Sequence, residues 1–247
     1  MSFDYDSVAG DYQYRALHSG HPVQRFWHGG KLTMIDQLIR PHLKPDSRLL
    51  EIGCGAGNLL LQASVRGSYS VALDLAMQAL TFVRSRLREA RSGSEAPRDF
   101  LCLQSIGEFL PLASDSFDCI LLSEVIEHLE VPQISIREAA RLLCPGGRLL
   151  ITTPNYRSFW PVMEWAVDRL NMAPKMAGEQ HISRFHPSSL TKMLVGSGLR
   201  MEYTGSIYNL SPFLSLVSPE RANRQLQREL SGRSPWGMIL VAVAVKP

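Results

Sequence analysis

Leu50-Glu51-Ile52-Gly53-Cys54-Gly55-Ala56-Gly57-Asn58 joins a short apolar run to a helical pattern. Glycine has no Cβ, so such a loop turns sharply and lets a ligand lie against bare backbone. The helix opening behind it offers unpaired N–H groups and a partial positive charge. Any tight strand-to-helix turn could use these glycines, so the loop alone says little. Asp74, 17 residues after Gly57 at the end of the next apolar run, adds a carboxylate placed to accept both hydroxyls of a ribose. It could equally cap the following helix. The dinucleotide pattern G-x-G-x-x-G is not met, because Asn58 stands at its last glycine. Glu51, just before the loop, suits a positively charged ligand better than a pyrophosphate. Both details favour a sulfonium-bearing nucleoside over a nicotinamide cofactor.

Outward from the loop, apolar runs alternate with helical patterns. Strands are predicted at 48–52, 69–73, 100–103, 117–122 and 148–153, and helices at 57–65, 77–90 and 133–143, with Pro145-Gly146-Gly147 turning into the fifth strand. That alternation means crossover units and a parallel sheet, an α/β fold. After Pro154 the pattern breaks for an insertion over 155–186. A helix over 187–196 and closing strands at 201–207 and 238–246 follow. Residues 1–44 read as a helical lead-in to a domain spanning 45–247.

The chain of 247 residues is 45% apolar and 20% charged, so disorder is excluded as its main state. A net charge of +3 leaves no basic face for duplex nucleic acid, and the run Arg84, Arg86, Arg88, Arg91 reads as a solvated helix face. Cys54, Cys102, Cys119 and Cys144 are spread singly, as in a reduced, cytoplasmic protein. No signal-peptide order opens the sequence, and no apolar run is long enough to span a bilayer.

Glu124, Glu127 and His128 follow the fourth strand at spacing i, i+3, i+4, one face if the segment is helical. They could bind a divalent metal, His128 could act as base or acceptor-orienting group, or the cluster could serve packing.

Residues 45–153 resemble class I S-adenosylmethionine-dependent methyltransferases through LLEIGCGAGN, VALDLAMQAL, EFLPLASDSFDCILLSEVIEHLEVP and REAARLLCPGGRLLITTPN, four stretches in the family's order. The resemblance implies a Rossmann-like, seven-stranded, mostly parallel sheet and S-adenosylmethionine as cofactor. It places Gly53, Gly55 and Gly57, with Glu51 beside them, near the methionine part and Asp74 on the ribose. Leu75, Ile106 and Gly107 bracket the adenine, and Ser123 lies by the methionine moiety. The family often has aspartate at Ile106; here backbone groups must replace that contact. The SEVIEH stretch is most similar to the ubiquinone-biosynthesis O-methyltransferases and related small-molecule enzymes, where residues matching Glu124, Glu127 and His128 bind Mg²⁺.

The insertion carries Phe159, Trp160, Val162, Met163, Trp165, Leu170 and Met172 and then Gly178-Glu179-Gln180-His181. It is expected to be a lid over a hydrophobic or aromatic acceptor, with His181 facing the pocket. It could alternatively rest on a membrane surface through 157–177, or serve packing or a dimer interface. Tyr5, Tyr12, Tyr14, His18, His21 and Trp27 make the lead-in aromatic, and Arg25 or Lys31 could meet the cofactor carboxylate. Methyl transfer from a sulfonium asks mainly for in-line positioning, and no catalytic triad is expected. The expected function is methylation of an oxygen, less readily a nitrogen, of a small acceptor, with His128, Glu124 and His181 as catalytic candidates. A nicotinamide-dependent oxidoreductase and a catalytically silent cofactor-binding scaffold are the competing readings.

Overall fold

The apolar runs flanking the glycine loop form the middle of a sheet. The computed structural model describes residues 8–64, 68–90, 97–170, 180–232 and 234–247. Its strands are β1 (Arg48–Ile52), β2 (Tyr69–Asp74), β3 (Asp99–Gln104), β4 (Phe117–Ser123), β5 (Leu143–Pro154), β6 (Arg200–Ile207) and β7 (Ile239–Val245). They lie in the order β3-β2-β1-β4-β5-β7-β6. The first five run parallel, and β7 pairs antiparallel with both β5 and β6. This is the mostly parallel, Rossmann-like α/β sheet anticipated above. Strands covered on both faces read as unbroken apolar runs, as Ile239–Val245 (ILVAVAV) does.

Neighbouring residues of a strand face opposite cores. Leu49, Leu121 and Val241 pack with Met34 and Ile35 of α2 (Pro22–Leu38), Leu60 of α3 (Asn58–Ala63), Val83 of α4 (Met77–Ala90) and Leu226 of α9 (Pro219–Gly232). Leu50, Ile120 and Leu122 pack with Ile136 and Ala139 of α5 (Pro132–Leu142) and with Leu190 and Leu194 of α7 (Pro187–Val195). The lead-in thus shares the main core through α2, while α1 (Tyr12–His18) lies ahead of it. The strand order reverses between β1 and β4, and the carboxyl ends of the strands there open the crevice in which such sheets bind ligands.

Three local expectations change. The predicted fifth strand begins earlier, at Leu143. Its pairing with β4 jumps from Phe117↔Leu143 to Cys119↔Arg148, so Pro145-Gly146-Gly147 bulges out of a continuous strand. Glu124 does not begin a helix: its φ is +54°, and Ile126–His128 form a single 3₁₀ turn. The helices α8 (Ser211–Leu214) and α9 lie where no helix was read. The insertion supplies α6 (Trp160–Arg169); its residues 171–179, including Met172, Gly178 and Glu179, lie outside the described residues, as does Tyr5.

Candidate active site

The loop after β1 is held in shape by its neighbours. Gly53 has φ +70°, and a Cβ there would stand 2.4 Å from Val125 Cγ2; at Gly55, with φ +48°, it would stand 2.5 Å from Gln13 Oε1. Asp74 closes the loop from β2: its Oδ2 accepts from the Gly55 amide at 2.8 Å and its Oδ1 from the Ala76 amide at 2.9 Å. It therefore pins the glycine turn and starts the chain into α4 at once. Arg86 of α4 donates to Ala56 O at 2.5 Å and to Asn58 Oδ1 at 2.6 Å, and its guanidinium lies over the Tyr14 ring. Asn58 is thus a fastening point of the loop.

A cavity of ≈ 540 Å³ opens above. Leu75 and Ile106 wall one end, 46% and 55% exposed; Gly53, Gly55 and Asp74 form its floor; Glu124, Val125, His128, Leu129 and Gln180 form the other end. Val8, Gly10, Tyr12 and Gln13 of the lead-in cover it. Gly57 and Gly107 shape the backbone instead of lining this cavity: Gly57 precedes α3 with φ +69°, and Gly107 has φ +75°. Ser123 and Glu51 line a smaller polar pocket beside the loop, with Gln13, His28, Lys31 and Asn58. Ser123 shares a 2.7 Å hydrogen bond with the Thr152 hydroxyl. Glu51 is buried and accepts from the Leu60 amide at 3.0 Å; burial pushes its carboxyl up to about 8. Burial, then the charge of Lys31, brings His28 down to about 4.

The Glu124, Glu127, His128 trio does not converge as the helical spacing suggested. Glu124 points to the lead-in, its Oε2 2.5 Å from the ammonium of buried Lys31. Burial would raise its pKa, but Lys31 outweighs burial and holds it below the usual carboxylate range. Glu127 is buried, its Oε2 accepting from the Thr153 hydroxyl at 3.0 Å; burial, reinforced by Glu124, lifts it to about 8. His128 places Nδ1 2.8 Å from Gln180 O, and burial lowers its pKa. The group whose potential ligand atoms lie within 4.8 Å of one another is Glu127, His128 and His181. Magnesium prefers an octahedron of oxygens, so one carboxylate and two imidazoles do not fit it, and an ammonium already occupies Glu124.

His181 does not reach the cavity wall; its ring sits behind His128 at 5.2 Å between centroids. Its Nδ1 lies 2.6 Å from Oε1 of Glu164, which also accepts from the Tyr156 hydroxyl at 2.7 Å and the Trp160 indole at 3.4 Å. Reading the sequence for apolar stripes passed over Glu164, the one buried residue of α6. A lone glutamate in a tryptophan-rich helix was the signal. Of the two basic residues that could meet the cofactor carboxylate, Lys31 pairs with Glu124. Arg25 is not among the residues lining either pocket.

A doubly wound sheet with a glycine-floored crevice and an acid ending β2 defines an α/β enzyme that binds a nucleoside cofactor. The methyltransferase-domain family model matches residues 23–204, and the chain belongs to that family. Ubiquinone biosynthesis O-methyltransferase of Xylella fastidiosa (strain 9a5c) is 28% identical over 214 residues, covering 82% of this chain and 85% of that protein. The protein of the same name from Xanthomonas axonopodis pv. citri is 29% identical over 198 residues, covering 78% and 76%. A SAM-dependent methyltransferase from Archaeoglobus fulgidus superposes with a TM-score of 0.60 at 18% identity, over 98% of this chain and all of that one. The [4+2]-cyclase SpnF superposes at 0.61 and 18% identity, over 90% and 82%, so the fold alone does not fix the reaction. This chain is an S-adenosylmethionine-dependent methyltransferase. Its residues fit that cofactor: bare backbone at Gly53 and Gly55, apolar walls at Leu75 and Ile106, and a carboxylate between them whose oxygens each keep a second lone pair for a ribose hydroxyl.

Proposed function

We propose that the protein methylates an oxygen of a small hydrophobic or aromatic acceptor. One observation carries this reading: the cavity runs unbroken from the apolar walls at Leu75 and Ile106 to His128 and Gln180. The cofactor supplies an activated methyl group on a sulfonium; the chain binds, orients and excludes water. Asp74, Leu75 and Ile106 hold the nucleoside, and Gly53 and Gly55 admit the methionine part. His128 and Glu124 stand where an acceptor would lie in line, and His128 orients its oxygen. His181 supports that wall from behind, and Gln180 of the insertion lines it. The names of the relatives support oxygen as the atom methylated.

The charge of +3 and the size of the cavity favour a small molecule over nucleic acid. The four cysteines are free, which suits a cytoplasmic setting. We propose further that an exposed row at the start of α6 touches a membrane surface, because Phe159 at its N-cap and Val162 and Trp165 within it turn outward with nothing covering them among the described residues.

Calorimetry with S-adenosylmethionine, S-adenosylhomocysteine and NAD tests the binding part. The first two are expected to bind and NAD not, and Asp74→Ala is expected to lose at least tenfold in affinity, about 1.4 kcal/mol. Undiminished binding by Asp74→Ala would refute the cofactor placement. A panel of phenols, catechols and amines, read by S-adenosylhomocysteine release, tests the rest. Turnover confined to amines would remove the oxygen assignment, and cofactor binding with no turnover on any would favour the silent scaffold.

A further inference from the structure

We propose that Glu164, buried on the insertion helix α6, is a positioning residue of the methyl transfer: through His181 and the Gln180 carbonyl it fixes how the His128 ring stands in the cavity wall. This role rests on the reading that His128 orients the acceptor oxygen, and adds what orients His128.

Glu164 is 4% exposed and is the buried residue of α6. A carboxylate in that place costs desolvation that good hydrogen bonds must offset. Its Oε1 accepts from the Tyr156 hydroxyl at 2.7 Å and from His181 Nδ1 at 2.6 Å. The His181 ring, itself buried, packs on the Trp160 ring at 5.9 Å between centroids, and Trp160 packs on Trp27 at 6.0 Å. Packing on an indole restricts the plane of the imidazole without choosing which of its edges faces α6. The bond from Nδ1 to Glu164 makes that choice.

Covalent geometry passes the choice on. The Gln180 carbonyl lies in the planar peptide whose last atom is the His181 Cα, which carries the anchored ring. Holding that ring limits how far the plane can rotate. Gln180 O accepts from His128 Nδ1 at 2.8 Å, and because a carbonyl can only accept, Nδ1 carries the proton. Cβ and one ring nitrogen thus define the His128 plane, with the His181 ring behind it at 5.2 Å between centroids. The Ile182 and Ser183 amides both donate to Glu127 O, at 2.8 and 2.9 Å, and the Ser183 hydroxyl donates to Leu129 O at 2.7 Å. Those bonds set the register of the segment along the turn after β4, and the His181 side chain sets the rotation of the peptide before it. In-line displacement tolerates little misplacement: about an ångström costs up to roughly a hundredfold in rate.

The test uses nitrogen NMR of full-length protein labelled with ¹⁵N-histidine and saturated with S-adenosylhomocysteine, whose binding also serves as the fold control for each variant. The His128 ring signals are assigned with His128→Gln. In the wild type and in Glu164→Gln, which keeps an acceptor oxygen, His128 is expected to hold its Nδ1 proton. In Glu164→Ala part of the population is expected to lose it. With the panel phenol or catechol that the wild type methylates, Glu164→Ala is expected to lower kcat about 10–100-fold and Glu164→Gln less than about threefold, with KM for S-adenosylmethionine moving less than about twofold in both. Met163→Ala, which loosens the packing of the same helix on the core, is expected to leave kcat near the wild-type value. An unchanged His128 signal in Glu164→Ala overturns the proposal. So does a kcat loss in Met163→Ala or Glu164→Gln as deep as in Glu164→Ala, or a moved His128 signal with undiminished kcat. If the wild type methylates nothing in the panel, the oxygen assignment fails, and the His128 signal still decides whether Glu164 holds that ring.

Discussion

Glu51 stands two residues before Gly53, and from sequence it belonged beside the positive charge of a cofactor. In the structure its carboxylate turns under α3 to the Leu60 amide, and burial raises it from an ordinary 4.5 to about 8. Below the lower value, folded and unfolded chains are both protonated and the residue costs nothing. As pH climbs towards 8 the unfolded chain ionises freely while the folded one resists, so stability falls through that window. Glu51→Gln cannot ionise and still offers an acceptor oxygen to Leu60. Its stability relative to the wild type is expected to rise between about pH 5 and pH 8, by at most about 1.4 kcal/mol per pH unit. Urea unfolding at several pH values measures this. A constant difference would mean that Glu51 is ionised inside the fold. The glycines and Asp74 could be read because backbone freedom and a capping carboxylate are local properties. Lys31 on Glu124 could not, because that pair joins residues 93 apart through packing that no local pattern encodes.

At the scale of elements, strands were legible wherever both faces are buried, since β1, β4 and β7 are nearly uniform apolar runs. The sequence also shows why α9 was missed. Its buried residues Ala222, Leu226 and Leu230 recur every four positions, but between them lies a dense run of polar and charged residues that reads as solvated loop. Buried Glu229 adds to the disguise. Its carboxylate accepts from the amides of Tyr208, Leu210 and Ser211 and from the Ser211 hydroxyl, which fastens the entry of α8 to α9. Tyr208 sits there at φ +68° and donates to Trp27 O in α2. Glu229→Ala would leave three amides without an acceptor, and a loss of about 3 kcal/mol or more is expected by denaturant titration, with Glu229→Gln losing less. Equal losses would show that packing, and not acceptor geometry, is what Glu229 provides. The turn at Glu124–His128 was misread for a related reason. The i, i+3, i+4 spacing is a statement about helices, and a left-handed residue at Glu124 removes the premise.

For the whole molecule, the sheet and crevice follow from the order of runs, while the outer apolar surface depends on which helix faces are left uncovered. Phe159 at the N-cap of α6 and Val162 and Trp165 within it are 53%, 51% and 66% exposed, and Phe213, Leu216 and Val217 are exposed at and just beyond α8. Both elements border α2: Trp160 packs its ring on Trp27, and α8 rests on the same helix. Among the described residues no helix is long and apolar enough to cross a bilayer, so contact with lipid would be made edgewise by side chains of this rim. Burying three such side chains in an interface contributes roughly 1.5–3 kcal/mol each at full burial, enough for reversible attachment and too little for anchoring. Flotation on phosphatidylglycerol-containing vesicles is expected to carry a fraction of the wild type upward and much less of Trp165→Glu, with S-adenosylhomocysteine binding equal in the two. If both stay wholly in the soluble fraction, the rim does not bind lipid. If Trp165→Glu instead halves the molecular mass measured by light scattering, the same residues cover one another in a dimer.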